Sequence, residues 1–481
     1  MEPSTFEGLQ WAQQRRNLVL FALCTGMQYL AAPVLYVGIT QASLCDKLGA
    51  DTRMANLPGT LFFAMTAVPA LIAWVSPQVS TLKRNLSLCY ATSGAMCAAL
   101  AITLALPVSN SFKIGMVVLQ GGVSGAVMPA AIALLWEVIG RGSDESKRGL
   151  ALSLAFGAGP ILAVLGSACQ AMLLGNPLFG YKFAGLPYPT NFIVLFGAGA
   201  PAMALAALFA QRFSIVPAAI EKEREPLSSV VGLLVGLPLM LVSVLEMMQR
   251  PSLLGYACGI GAGLAFLWHF RFIFQQRILL LATIVTILMY AGNVIPSNMN
   301  LYSIEALGVA PSQYAGVQNM LRFGLKVVAG SLLGLFLTRT SPRAGMLATA
   351  TIFFSAMLWA MFVTGPWYLV AFGLHGAGEL IGVYAPNYIV SASRKDDLRR
   401  NMAFVTMLMV PAAPAGYLYG AIVDNVKNAG WTAYGINSAA LGFRLSFAVC
   451  ALLILCGILL AATLLPAKPR VEHESDVIGL E

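Results

Sequence analysis

Residues 367 to 392 read WYLVAFGLHGAGELIGVYAPNYIVSA, an apolar stretch long enough to cross a bilayer, with an imidazole, His375, and a carboxylate, Glu379, in its middle. A helix rises about 1.5 Å per residue, so Glu379 lies roughly 18 Å from Trp367 and roughly 22 Å from Arg394, near the centre of any membrane the stretch spans. An ionisable group at that depth is expensive. It therefore marks a binding or proton-relay site whose partner lies elsewhere in the chain.

The rest of the chain fits the same setting. Hydrophobic residues make up 58% of it, charged residues only 10%, and the mean hydropathy is +0.77. A soluble domain carries charge on about a quarter of its residues, so this composition excludes one. The apolar runs are about 20 residues or longer, which suits membrane-spanning helices and excludes the short alternating segments of a β-barrel. The fold class expected is all-α and integral to the membrane.

Runs separated by polar punctuation fall near 17–41, 54–76, 85–107, 112–139, 149–175, 190–211, 228–248, 252–269, 278–302, 313–338, 344–364, 367–392, 401–424 and 441–466, fourteen in all. Alternate loops divide the basic residues unevenly. One set holds Arg15, Arg16, Lys83, Arg84, Arg141, Lys147, Arg148, Arg212, Lys222, Arg224, Arg271, Arg277, Arg339, Arg343, Arg394, Lys395, Arg399, Arg400, Lys468 and Arg470, and the other is left with Lys47, Arg53, Lys113, Lys182, Arg250, Lys427 and Arg444. By the positive-inside rule the first set is cytoplasmic, which places both termini there and the protein in the plasma (inner) membrane. The net charge of +9 is thus topological. It forms no basic stripe with interleaved aromatics, so no nucleic-acid partner is expected.

The chain repeats itself. Leu48-Gly49 is echoed by Leu307-Gly308, Gly59 to Ser76-Pro77 has the spacing of Gly324 to Ser341-Pro342, and the loop from Asp144 to Arg148 matches that from Asp396 to Arg400. Parallel repeats of this kind build transporters whose site lies between the repeats near mid-membrane. The expected division is a six-helix bundle at 1–212, a linker with two inserted helices at 213–276, a second bundle at 277–466 and a polar tail at 467–481.

The Ser76-Pro77 to Lys83-Arg84 turn, the Arg148-Gly149 start of span five, and Gly157, Gly159 and Pro160 within it resemble the major facilitator superfamily. That resemblance covers nearly the whole chain. It implies two rocking six-helix bundles around a central cavity, with two additional helices as in the drug-antiporter and peptide-symporter branches. The departures are informative. No Asp precedes the basic pair after span two, the peptide-symporter signature E-x-x-E-R is absent because span one has no Glu, and no sugar-porter pattern follows span six.

Span ten supplies two mid-depth cations, Arg322 and Lys326, four residues apart and so on one helical face. An ion pair of either with Glu379, or a protonated Glu379, would make the charge tolerable. The pair could couple to transport or simply hold two helices in register. His375, one turn before Glu379, either extends a proton relay or is a hydrogen-bonded packing residue. Gln28, Tyr29, Tyr36, Tyr290, Asn293, Asn298 and Asn387 are the candidate substrate-cavity residues, because uncharged donors and aromatics suit a polar organic solute. Arg84, Glu137, Arg141, Arg148 and Arg400 are candidates for a cytoplasmic gate.

The function expected is secondary active transport of a small polar or amphipathic organic solute by alternating access, with proton-coupled symport ahead of proton-antiport efflux and of a non-transporting sensor or assembly role. No G-x-x-x-x-G-K-[ST], H-E-x-x-H or Ser/His constellation is present, so neither ATP use nor catalysis is expected. The eight cysteines show no C-x-x-C pair. No cofactor and no metal are expected, and a monomer with solute, protons and lipid as its partners is.

Overall fold

The structure is a computed structural model, and it describes the chain except residues 1–8, 37, 144–158, 179–180, 218–222, 250–251, 338–339, 393–403, 405–406 and 470–481. Helices dominate; among the described residues, strands are confined to Pro177–Leu178 and Tyr181–Lys182, an antiparallel pair in the loop before span six. The helices used below are α1 Trp11–Leu30, α2 Ile39–Lys47, α3 Thr52–Val75 with a 3-10 turn inside it, α4 Leu82–Ala105, α5 Asn110–Gly142, α6 Gly159–Leu173 and α7 Thr190–Gln211. They continue as α8 Val231–Gln249, α9 Leu253–His269, α10 Arg277–Tyr290, α11 Pro296–Leu301, α12 Ala315–Leu337 and α13 Pro342–Phe362. Last come α14 Val370–Gly378, α15 Ile381–Ser391, α16 Pro414–Asn428 and α17 Ser438–Leu464. Among the described residues, eight spans are long and apolar enough to cross a membrane, and three shorter apolar helices accompany them. The protein is a multi-pass membrane protein.

Local chemistry sets where helices begin. Asp51 accepts a hydrogen bond from Met54 N at 2.8 Å, Ser252 from Gly255 N at 2.9 Å and Asn437 from Ala440 N at 2.8 Å, each satisfying a first-turn N–H that has no helical partner. Packing then uses small residues where two backbones meet. A Cβ at Gly121 or Gly125 of α5 would run into the carbonyls of Pro58 and Phe62 on α3, so these two helices touch backbone to backbone.

Three expected continuous spans prove to be broken. Span one stops at Leu30, passes through the short helix Ala32–Leu35 and resumes at Ile39 after Gly38, whose φ of +149° a side chain would strain. Span nine narrows to a 3-10 turn at Ala291–Val294 before Pro296 starts α11, where a missing N–H costs nothing. Span twelve breaks at Glu379 and Leu380, and not at Pro386, which sits inside α15. At each break i to i+3 turns interrupt the helical ladder: Val34 N donates to Ala31 O, Ile295 N to Gly292 O and Leu380 N to Ala377 O.

Helices α4, α5 and α7 pack together, as do α13, α14 and α17, while α6 against α12, α2 against α11 and α3 against α16 join the early helices to the late ones. The pair α8 and α9 reads from sequence as peripheral. It is one-sided: Leu245, Leu254, Ile260 and Leu264 face outward, whereas Phe266 and Phe270 turn in and line an apolar cavity of about 510 Å³ with Leu57 of α3, Ile287 of α10 and Tyr417 of α16.

Candidate functional site

Helix α12 has 23 residues, and Lys326 is at its midpoint, about 16 Å from either end at the usual helical rise. Arg322 lies one turn earlier. Glu379, at the break between α14 and α15, meets both: Arg322 Nε donates to Glu379 Oε1 at 2.8 Å, Arg322 Nη2 donates to the same oxygen, and Lys326 Nζ donates to Oε2 at 3.3 Å. The carboxylate is thus shared between two cations. Arg322 is the closer partner and is only 7% exposed, so its charge is compensated mainly by this contact.

Such closeness depends on Gly376. A Cβ there would overlap the carbonyl oxygen of Arg322, so α14 can lie against α12 only with glycine at this position. His375 completes the group. Its Nε2 lies 3.1 Å from the carbonyl oxygen of Gly292, which also accepts from Ile295 N in the 3-10 turn of span nine, and its Nδ1 is 3.6 Å from Glu379 Oε1. A carbonyl only accepts, so Nε2 carries the hydrogen and a neutral imidazole turns its Nδ1 lone pair towards the carboxylate. Two acceptors then face each other across a gap where one added proton would turn opposition into attraction. Phe353 packs edge-on against the ring at 4.8 Å between centroids and leaves little room for rotation.

Beside Arg322 stand aromatics from span one and span ten. Tyr36 packs against Phe323 at 6.3 Å between centroids, and Tyr29 stacks on Tyr36 at 6.2 Å. Tyr29, Tyr36 and Lys326 are partly exposed while Arg322 beside them is buried, so accessible space reaches this level of the bundle.

One turn further from the midpoint a second polar layer joins early and late helices. Asn319 Nδ2 donates to Gln170 Oε1 at 3.0 Å and to Thr40 Oγ1 at 3.3 Å, and Gln170 Nε2 donates to Thr40 Oγ1 at 3.0 Å. Asn176 extends the seam, donating to Ser312 O at 2.9 Å and accepting from Gly316 N at 2.8 Å. These residues escaped the sequence reading. A signal existed, since Asn319, Arg322, Phe323 and Lys326 follow the i, i+3, i+4, i+7 pattern of a single helical face. Uncharged amides in apolar helices are common enough that the face alone did not single them out.

The other expected residues divide. Gln28, Tyr290 and Asn293 are buried, and Gln28 Nε2 and Asn293 Oδ1 have no hydrogen-bond partner among the described residues. Asn298 is committed to helix packing: it accepts from Asn56 Nδ2 at 2.6 Å and donates to Ser446 Oγ at 3.0 Å. Asn387 is on an exposed face of α15, two turns from Glu379 and outside the cluster. Of the gate candidates, Glu137 and Arg141 pair along one helix at 3.1 Å, Arg84 is exposed, and Arg148 and Arg400 lie outside the described residues. No group of three potential metal ligands occurs among the described residues.

An ion pair unforeseen in the sequence ties α3 to α16. Asp424 accepts from Arg53 Nε at 3.2 Å, from Arg53 N at 2.8 Å and from Thr52 N at 3.2 Å, so it caps the first turn of α3 from another helix. Replacing Asp424 by Ala should cost about 1–2 kcal/mol, the usual value of a lost helix cap. Amide hydrogen exchange would then quicken at Thr52 and Arg53 ahead of the rest of α3; unchanged protection there would contradict the assignment.

No family model matches the sequence, and no curated protein matches it. Solved structures do match the fold. A variant of the nucleoside transporter NupG aligns at a TM-score of 0.63 and 10% identity, covering 92% of this chain and 99% of that one. A peptide transporter POT in complex with sulfate aligns at a TM-score of 0.62 and 14% identity, covering 95% of each chain. An auto-inhibited POT family peptide transporter aligns at 0.60 and 14%, covering 96% and 99%. At such identities the likeness is one of architecture, and over nearly its whole length this chain has the fold of those helical membrane transporters.

Proposed function

We propose that this chain is a secondary active transporter that carries a small polar or amphipathic organic solute by alternating access, driven by proton symport. The observation that carries the reading is the cluster of Glu379, Arg322, Lys326 and His375, buried at mid-span beside a helix break, in a fold shared with nucleoside and peptide transporters. Fourteen spans, both termini in the cytoplasm of a plasma-membrane protein, and a monomeric working unit belong to the same reading. Bundles at 1–212 and 277–466 would rock about the cluster, with the inserted pair at 213–276 braced against α3.

Mechanistically, the unprotonated carboxylate holds Arg322 and Lys326 against α14. A proton entering between His375 Nδ1 and Glu379 Oε1 weakens that hold, because a neutral carboxyl attracts neither cation and an imidazolium competes for the same oxygen. Arg322 is then released towards Tyr29 and Tyr36 of the opposite bundle, where a solute can take over its charge. Proton and solute thus act on one side chain from two sides, and that shared dependence is what symport requires.

Proteoliposomes loaded with a pH-sensitive dye test this directly. Some solute in a panel of nucleosides, short peptides and aromatic acids should drive proton influx, and the flux should vanish in Glu379→Gln while solute counterflow persists. Solute uptake with no proton movement in the wild type would rule out the coupling.

A further inference from the structure

We propose that the space beside Arg322 receives an organic oxyanion, a carboxylate or a phosphate ester, carried on a flat aromatic body. The inference rests on the transporter reading of the same site and names the chemical class of its solute.

Charge comes first. Arg322 and Lys326 bring two positive charges and Glu379 returns one negative, so with neutral His375 the group keeps an uncompensated positive charge inside a membrane-spanning bundle. A charge at that depth is stable only when paired or hydrated. An incoming anion would complete the balance; a cation would worsen it.

The guanidinium supplies the direction. Nε and Nη2 are used by Glu379, while Nη1 is buried and has no hydrogen-bond partner among the described residues. Leaving a buried charged donor unsatisfied costs more than a typical hydrogen bond returns, so this edge of Arg322 awaits an acceptor. The side chain opposite it is missing: a Cβ on Gly38 would stand 4.0 Å from Nη1, and glycine leaves that volume empty. Lys326, 25% exposed and four residues along the same face, supplies a second positive charge to the same space.

Shape comes from the rings. Tyr29, Tyr36 and Phe323 form an aromatic wall within reach of the guanidinium, which lies 5.6 Å from the Phe323 centroid, and the two tyrosines keep part of their surface open. An aromatic body would stack or meet edge-on with such a wall, whereas a branched aliphatic one would not gain the ring–ring term. Two oxygens of one carboxylate or phosphate group match the guanidinium fork.

The test uses the purified full chain in nanodiscs, with thermal unfolding recorded at matched ionic strength in benzoate, phenyl phosphate, benzamide, benzylamine and inorganic phosphate. Benzoate or phenyl phosphate should raise the melting temperature saturably and above the other three. Benzamide or benzylamine leading the series, or inorganic phosphate matching phenyl phosphate, would overturn the proposal. Arg322→Gln should abolish the stabilisation, and Arg322→Lys, which keeps the charge and loses the fork, should weaken apparent affinity by about tenfold or more. Should Arg322→Gln give no cooperative melt, Arg322→Lys decides, and wild-type affinity for benzoate in that variant refutes the site. Binding is read here without any gradient. Intact oxyanion binding with no transport would therefore fail the transport reading alone, and proton flux driven only by neutral solutes would fail this inference alone.

Discussion

Glu379→Gln should be among the most destabilising single substitutions in the protein. It removes the carboxylate that Arg322 and Lys326 share and leaves two cations close together in a buried site. Breaking a buried ion pair by deleting one partner costs about 3–5 kcal/mol, because the remaining charge keeps its desolvation penalty and loses its compensation. Arg322→Gln alone should cost less, since Lys326 still neutralises the carboxylate. The double variant Arg322→Gln, Glu379→Gln should recover most of the loss, with a coupling energy of about 1–3 kcal/mol in a double-mutant cycle. Denaturant or thermal unfolding in nanodiscs measures all four corners. Additive effects, with no recovery in the double variant, would show that the side chains do not stabilise one another. Transport should not recover with stability in that variant, because the proton site stays absent.

Gly376→Val should have the second-largest effect. Its side chain would be driven into the backbone carbonyl of Arg322, and backbone cannot swing aside as the end of a long side chain can. Overpacking usually costs about 1–3 kcal/mol; here the clash is with a helix axis, so Ala should fall in that range and Val above it. Because the displaced element carries Arg322 and Lys326, stabilisation by benzoate should fall along with stability. Gly382, six residues on and second in α15, is the matched control. A Cβ there meets nothing within 4 Å, and Gly→Ala at a position whose backbone Ala can adopt stabilises by about 0.4–1 kcal/mol, so Gly382→Ala should melt at or above the wild type. Equal losses at both positions would mean that the helix contact is not the cause.

The two variants separate what one dimension of the chain can say from what needs three. Span limits were largely legible: residues 190–211 read as a span and form a helix with those limits, and 313–338 reads as a span where the helix runs Ala315–Leu337. Arg322 and Lys326 were legible as the mid-depth cations that could answer Glu379, because their depth follows from counting residues. Their shared use of one carboxylate was not. Nor was the bond from His375 to Gly292, 83 residues away, since it depends on how spans nine and twelve are turned towards each other.

Asn298 shows the same limit from the other side. By composition and depth it belonged with the cavity residues, yet it is consumed by Asn56 and Ser446, while Asn319, unremarked in the sequence, bonds across the bundle to Gln170 and Thr40. Membrane thickness and the hydrophobic effect act on each segment separately, so the sequence by itself determined the class and the positions of Arg322, Lys326 and Glu379 along their segments. Helix rotation and the positions of the breaks depend on contacts between segments hundreds of residues apart. Only the tertiary structure could decide that Arg322 turns one edge to Glu379 and leaves the other, among aromatic rings, without a partner.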